Sequence, residues 1–311
     1  MKKYCIVGNG EHVKKKIIPA IINIGGKIEG IVSRNSKPNK VVKIFNSLDV
    51  ALSSLGKDTI FIVCTPPDFH FSQSMMIKKK NFNLFIEKPI TTNSNDLKKL
   101  IDQSQKNNLF FVEGFMYKYS QFYTDFLKFW SINKTLVSEL SIHFTIPILP
   151  HNTFRSKINN YPTNLYDIGC YVTNLISDTY GATDLSISKI DKKNKNEYEI
   201  FFITSKIGIT KIKIKFGIGK KYENFIKIKM VDRYEHKFYP FFFGREGDRT
   251  IQKSFNGEKI ENVTFYTSDC FEKMFNQSDA YWLASQNERN TSMIENLNML
   301  ENLSKQYNDI F

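Results

Sequence analysis

The segment Gly8-Asn9-Gly10-Glu11-His12-Val13 directly follows a short apolar run and opens a helical pattern, the setting a dinucleotide-binding loop needs. Gly8 permits a tight turn. Gly10 lets a pyrophosphate approach backbone N–H groups at a helix N-terminus, where the dipole is positive. Val13 stands where such loops carry a third glycine, which predicts a helix set slightly farther from its strand. The next apolar run ends in Ser33-Arg34, at the position that reads the adenosine ribose. A hydroxyl followed by a guanidinium suits a 2′-phosphate, because arginine binds phosphate through two parallel charge-assisted bonds, so NADP is favoured and NAD is the alternative. Lys37 adds charge nearby, whereas Glu29 lies too early in its run to select NAD without a change of register. Farther on, Leu165, Ile168, Val172 and Leu175 recur at helical spacing, which puts Asp167 and Tyr171 on one helix face.

Positioning these groups requires two kinds of scaffold. Apolar runs at Tyr4 to Val7, Lys27 to Ser33, Val42 to Phe45, Thr59 to Thr65, Asn83 to Glu87 and Leu109 to Glu113 read as strands. Helical patterns lie between them at Val13 to Ile24, Asp49 to Leu55, Phe69 to Lys80 and Ser94 to Asn107, the last with Ser94 or Asn95 as N-cap. This alternation predicts a doubly wound parallel sheet of Rossmann type over residues 1–118. From residue 119 to 311 the pattern changes. One helix, Gln121 to Trp130, leads into runs alternating at period two: Leu136 to Ile146, Asp184 to Ile190, Glu197 to Thr204, Thr210 to Phe216 and Asn224 to Val231. A helical stretch from Cys270 to Gln306, in one or two pieces, closes an α+β domain with a large, mainly antiparallel sheet. Its open face, taken as rich in apolar residues, would need covering, so a homodimer or higher homo-oligomer is expected. The aromatic run Phe238 to Phe243 reads as core or interface, and Gly244 to Asp248 as a polar loop.

At 311 residues the chain is long enough for two cores, and 41% hydrophobic residues exclude a disordered chain. The formal charge of +13 is spread through nearly every segment, which argues against a nucleic-acid partner and favours polyanionic small ligands. Cys5, Cys64, Cys170 and Cys270 lie far apart with no metal-ligand spacing, so no metal is expected. Lys3 to Val7 already reads as strand and leaves no room for a secretory leader, and no apolar run approaches membrane-spanning length. A cytoplasmic location without membrane contact is expected.

Phe61-Ile62-Val63-Cys64-Thr65-Pro66-Pro67 with His70, followed by Phe85-Ile86-Glu87-Lys88-Pro89, resembles the glucose-fructose oxidoreductase / inositol dehydrogenase (Gfo/Idh/MocA) family. Val112-Glu113-Gly114-Phe115-Met116-Tyr117 resembles that family's next strand, and Asn164 to Leu175 its Asp-Gly helix in the Tyr-bearing version. The resemblance implies that Lys88 is a catalytic-site residue followed by a commonly cis proline. It also implies that Thr65, Pro66, His70, Glu87 and Lys88 join Gly8, Gly10, Glu11, His12, Val13, Ser33 and Arg34 around the dinucleotide, and that Tyr117 and Arg155 face substrate. Tyr161-Pro162-Thr163-Asn164 departs from the glycine cluster usual before the helix. Hydride transfer at a carbinol carbon needs proton transfer at its oxygen, which Tyr171 could supply. A tyrosine pKa of about 10 is high for that task, and a neighbouring Lys88 ammonium would lower it, with Asp167 orienting substrate or lysine.

These features predict an NADP-preferring oxidoreductase acting on a sugar or polyol carbon, with a keto-sugar or nucleotide-linked sugar as substrate. The alternatives are an NAD-dependent dehydrogenase of a free sugar or inositol, and a non-catalytic dinucleotide-sensing regulator.

Overall fold

The computed structural model describes residues 1–34, 42–147, 165–180, 186–194, 197–203, 211–219 and 221–310. They form two compact units: Met1–Met116 with Phe271–Ile294, and Tyr117–Cys270 with Glu295–Phe311.

In the first unit six strands, β1 (Lys3–Val7), β2 (Lys27–Val32), β3 (Ile44–Phe45), β4 (Thr59–Val63), β5 (Leu84–Ile86) and β6 (Phe111–Glu113), form one sheet in the order β3-β2-β1-β4-β5-β6. Every pairing is parallel. Strand order reverses between β1 and β4, the point where open α/β sheets leave a crevice at the strands' carboxyl ends. The strands are apolar throughout because helices cover both faces: Tyr4, Cys5, Ile6, Phe61, Val63 and Leu84 are fully buried. Helices α2 (Leu48–Ser54) and α4 (Ser94–Lys106) start where a side chain accepts the first free N–H groups, Ser47 from Val50 and Asn93 from Asn95 and Asp96. The N-cap of α4 is thus Asn93, one residue before the expected position.

Helix α1 (Ile18–Asn23) is entered through a π-helical turn, Val13–Ile17, where a regular helix is expected. Pro19 accounts for the departure. It lacks an N–H and its ring crowds the carbonyl four residues back, and the wider turn relieves that conflict. Helices α7 (Cys270–Asn276) and α8 (Asp279–Ala284) also belong to this unit, which takes the chain from Phe271 to Ile294. Both rings meet Phe85 edge-on, at 5.1 and 5.6 Å, and Tyr4 donates to the Phe275 carbonyl at 3.1 Å. The chain therefore returns to the parallel sheet instead of dividing once near residue 118, because this aromatic surface is buried only when α7 and α8 cover it.

Lys78, on α3 (His70–Lys79), is fully buried, with its amine on the Phe110 carbonyl and over the Phe111 ring. Burial pushes this amine well below its ordinary pKa. The unfolded chain keeps the proton up to about pH 10.4, whereas the native chain releases it earlier, so stability rises with pH across that interval. Urea unfolding at successive pH values should show this slope, up to about 1.4 kcal/mol per pH unit, and Lys78→Met should flatten it.

The second unit is built on an eight-stranded sheet in the order β14-β13-β12-β11-β7-β10-β9-β8. Its strands are β7 (Val137–Pro147), β8 (Ser186–Asn194), β9 (Glu197–Ile203), β10 (Lys211–Gly219), β11 (Glu223–Met230), β12 (Tyr234–Tyr239), β13 (Gly247–Phe255) and β14 (Glu258–Thr267). All pairings are antiparallel except β7 with β10. Alternation puts Leu140, Ile142, Ile212, Ile214, Ile226 and Ile228 on the buried face. The opposite face carries Lys213, Lys215, His143, Phe225, Lys227 and Lys237, all half-buried, with Lys215 bonded to Glu223 at 2.6 Å. The apolar open face expected from the sequence is therefore charged among the described residues, and the apolar set faces inward. Helices α5 (Gln121–Asn133), α6 (Cys170–Tyr180) and α9 (Gln286–Ile310) complete the elements, and the C-terminal helical stretch is three helices, α7 to α9.

Strands β12 to β14 were not legible as strands. The aromatic run straddles the end of β12, and Phe238, Phe241 and Phe242 all enter the core. The polar loop after it is held by Arg249, which is 1% exposed and donates to the carbonyls of Phe243, Arg245, Gly247 and Asp248.

Candidate active site

The proposed dinucleotide residues of the first unit collect at the carboxyl ends of its parallel strands. After β1, Gly8 adopts φ +110°, and a Cβ there would lie 2.8 Å from the Cys64 carbonyl oxygen. Only glycine fits this turn. A Cβ on Gly10 would meet nothing within 4 Å, so the loop leaves room above its backbone for a phosphate group. Glu11 turns its carboxylate to Lys14 and Lys15, at 3.4 and 3.1 Å, so the group it can offer an anion is its backbone N–H. Val13 is fully buried, filling the position of the third glycine with packed side chain.

At the end of β2, Ser33 is half-buried with its N–H on the Phe45 carbonyl, and Arg34 is exposed. Glu29, by contrast, accepts from Thr59 at 2.9 Å and pairs with Lys27 at 3.3 Å, four residues before the tip. It is a structural acid of the sheet. No acidic residue occurs between Glu29 and Asp49, so nothing there presents a carboxylate to a ribose. Lys37 lies outside the described residues.

After β4, Thr65 donates to Gln73 at 2.7 Å and Pro66 is exposed. His70 is 1% exposed, and its two ring nitrogens lie 2.7 Å from the carbonyls of Pro89 and Thr65. Both nitrogens face backbone, so His70 joins two loops. After β5, Lys88 is 8% exposed and precedes a cis bond to Pro89, as the resemblance implied. Glu87 meets His12 at 2.9 Å. Burial pushes the Glu87 carboxyl up, but the charges of His12, Lys88 and His70 outweigh it and hold the group below its ordinary value. His12 also sets its ring edge-on to Phe271, at 5.6 Å.

In the second unit Asp167 lies in a π-helical turn, Leu165–Gly169, that leads into α6, and Tyr171 lies in the first turn of α6. Both are nearly buried, at 6 and 7% exposure. The π turn replaces the regular helix read from the spacing. Close packing coincides with it, since a Cβ on Gly169 would come within 2.9 Å of the Phe216 ring. The Tyr171 ring is enclosed by Phe144, Tyr117 and Phe242, with centroids 5.1, 5.9 and 5.9 Å away. Tyr117 is fully buried, donates to Asn174 at 2.7 Å and supports the Tyr171 ring. Phe144, Phe242, Asn174 and Glu113 lie in segments read above but were given no site role, because each matters through what it supports. Arg155 lies outside the described residues, as does the segment Tyr161 to Asn164. Among the described residues no three His, Cys, Asp or Glu side chains are grouped to hold a metal.

A Rossmann unit with a glycine turn and a strand-end lysine, joined to an α+β unit with a large sheet, defines a nicotinamide-dependent oxidoreductase. Residues 2–115 match the model of the oxidoreductase family with an NAD-binding Rossmann fold. The first unit is thus similar to the NAD-binding domain of the Gfo/Idh/MocA family. Its fold is similar to that of KijD10, a 3-ketoreductase from Actinomadura kijaniata in complex with NADP and TDP-benzene, with TM-score 0.80, 16% identity and 96% of each chain covered. It is also similar to the UDP-N-acetylglucosamine 3-dehydrogenase GnnA from Acidithiobacillus ferrooxidans, with TM-score 0.69, 14% identity, and 96% of this chain and 95% of that one covered. The probable oxidoreductase yhhX gives TM-score 0.71 at 16% identity, covering 97% of this chain and 96% of that one. At such identities the likeness is one of fold. No curated protein matches the sequence. Among the described residues no helix is long and apolar enough to cross a membrane.

Proposed function

We propose that this oxidoreductase prefers NADP and reduces a ketone carbon of a sugar carried on a nucleotide. The observation that supports it best is the gathering of Gly8, Arg34 and Lys88 at the carboxyl ends of β1, β2 and β5 of one sheet. Gly8, Gly10 and the backbone of Glu11 would hold the pyrophosphate, and Ser33 with Arg34 the 2′-phosphate. The bound dinucleotide would supply the hydride. Tyr171 would give a proton to the carbonyl oxygen, Asp167 would orient the substrate hydroxyl, and Lys88 would serve as the catalytic-site lysine at the strand end. The nucleotide-linked substrate takes support from the ligands of KijD10 and the name of GnnA, both of which share the fold. A net charge of +13 favours such a dianionic ligand.

Titration by nicotinamide fluorescence tests the cofactor. NADPH should bind more tightly than NADH, and Arg34→Glu should weaken NADPH by about 10- to 100-fold, as expected for losing a charge-assisted bond of roughly 1.5–3 kcal/mol. Tighter binding of NADH by the unaltered chain would overturn it. The substrate class is tested by NADPH consumption with a nucleotide-linked 3-keto-sugar against the free keto-sugar, and preference for the free sugar would favour the alternative dehydrogenase reading.

A further inference from the structure

We propose that His70 and Glu113 are positioning residues that clamp the backbone on the C-terminal side of Lys88, an inference that rests on Lys88 belonging to the site. Strand β5 ends at Ile86 and its last bond to β4 is from the Glu87 N–H to the Val63 carbonyl at 2.9 Å, so Lys88 and Pro89 lie beyond the ladder. Three side chains from other parts of the same unit restrain this turn. His12, from the glycine loop, holds Glu87 at 2.9 Å. His70, opening α3, sets Nδ1 2.7 Å from the Pro89 carbonyl oxygen. Glu113, ending β6, accepts the Ile90 N–H through Oε1 at 3.0 Å. Gly114 lies directly against the turn: its N–H donates to the Ile86 carbonyl at 2.8 Å, and a Cβ on it would come within 3.4 Å of the Glu87 Cα.

A lysine has four rotatable bonds, so the place of its ammonium depends on how firmly its Cα is held. Residues on both sides of Lys88 are fixed here by side chains that a solvated loop would not need. The cost of burying an imidazole also needs a reason, and the two carbonyls provide it. Each ring nitrogen faces a carbonyl oxygen, an arrangement that favours the protonated ring, while burial pushes its pKa down. The clamp uses the Nδ1–H, which faces the Pro89 carbonyl oxygen at 2.7 Å. His70 also touches the Thr65 carbonyl, so one ring joins the turn bearing Lys88 to the loop after β4.

The test reads Lys88 itself. Trace acetylation with acetic anhydride, followed by peptide mass spectrometry with exposed Lys98 as internal standard, measures how available the Lys88 amine is. His70→Asn keeps a donor near the place of Nδ1, whereas His70→Gln keeps one near that of Nε2. The Lys88 rate relative to Lys98 should change by about fivefold or more in His70→Gln and stay within about twofold in His70→Asn, as expected for losing or keeping one hydrogen bond. Glu113→Leu should behave like the first and Glu113→Gln, which keeps an acceptor, like the second. Thermal melting identifies any variant that fails to fold, and either pair alone suffices for the comparison. Equal Lys88 labelling in all folded variants, an undetectable level included, would overturn the proposal, as would rescue by Gln instead of Asn at position 70. Turnover is not read, so a Lys88 that proved dispensable for catalysis would sink the proposed mechanism and leave this result standing.

Discussion

Replacing Lys88 by Met is expected to lower kcat by about 100- to 10,000-fold while the NADPH dissociation constant stays within about threefold, the pattern of a group that acts on the reacting atoms. Tyr171→Phe should produce a loss of the same order. This second change removes one oxygen and leaves the ring among Phe144, Tyr117 and Phe242, so the fold should hold and the melting temperature should barely move. If lysine and tyrosine work as one proton-handling unit, the double variant should lose little more than the worse single one, because groups acting together are strongly non-additive. Steady-state kinetics of the three variants on one substrate measures this. Turnover unchanged in either single variant would remove that residue from the mechanism, and simple multiplication of the two losses would show that they act separately.

The second large effect concerns stability and lies away from the chemistry. Arg249→Met should destabilise the second unit by about 3 kcal/mol or more, because four backbone carbonyls would lose a buried donor together. The guanidinium also lies over the Phe243 ring at 4.9 Å, so the substitution removes packing as well as hydrogen bonds. Arg249→Lys should recover only part of the loss, since one ammonium cannot span carbonyls that a planar fork of five N–H groups reaches. Urea unfolding followed by tryptophan fluorescence measures both variants. A change below about 1 kcal/mol in Arg249→Met would mean that the loop between Phe243 and Asp248 finds other donors.

The loop pinned by Arg249 also shows what a linear pattern cannot carry. Gly244 to Asp248 is polar and glycine-bearing, so it reads as solvated chain, yet its carbonyls turn inward onto one arginine from the following strand. Strand β14 gave no signal for a related reason: most of its residues are exposed on both faces, so no alternation marks it. Helices α7 and α8 were legible as helix but not as part of the first unit. Their allegiance depends on Phe275 and Trp282 meeting Phe85, and nothing in the spacing of these residues identifies their partner.

The glycine turn with which the chain's chemistry begins divides the same way. Gly8 was readable because a tight turn after an apolar strand needs a residue tolerant of positive φ, and the six parallel strands were readable because burial on both faces makes them continuously apolar. Asp167 and Tyr171 could be put on one helix face from their spacing, whereas Lys88 was singled out by the resemblance of Glu87-Lys88-Pro89 to the family's pattern. Tertiary structure alone decided that His70 spends both nitrogens on backbone carbonyls, that Tyr117 supports Tyr171 from the core, and that the outer sheet face is charged. Local sequence encodes which backbone conformations and which buried faces are affordable within a few residues. The partner of a buried polar group is chosen across distant segments, when desolvation makes an unmatched carbonyl or imidazole too costly to leave.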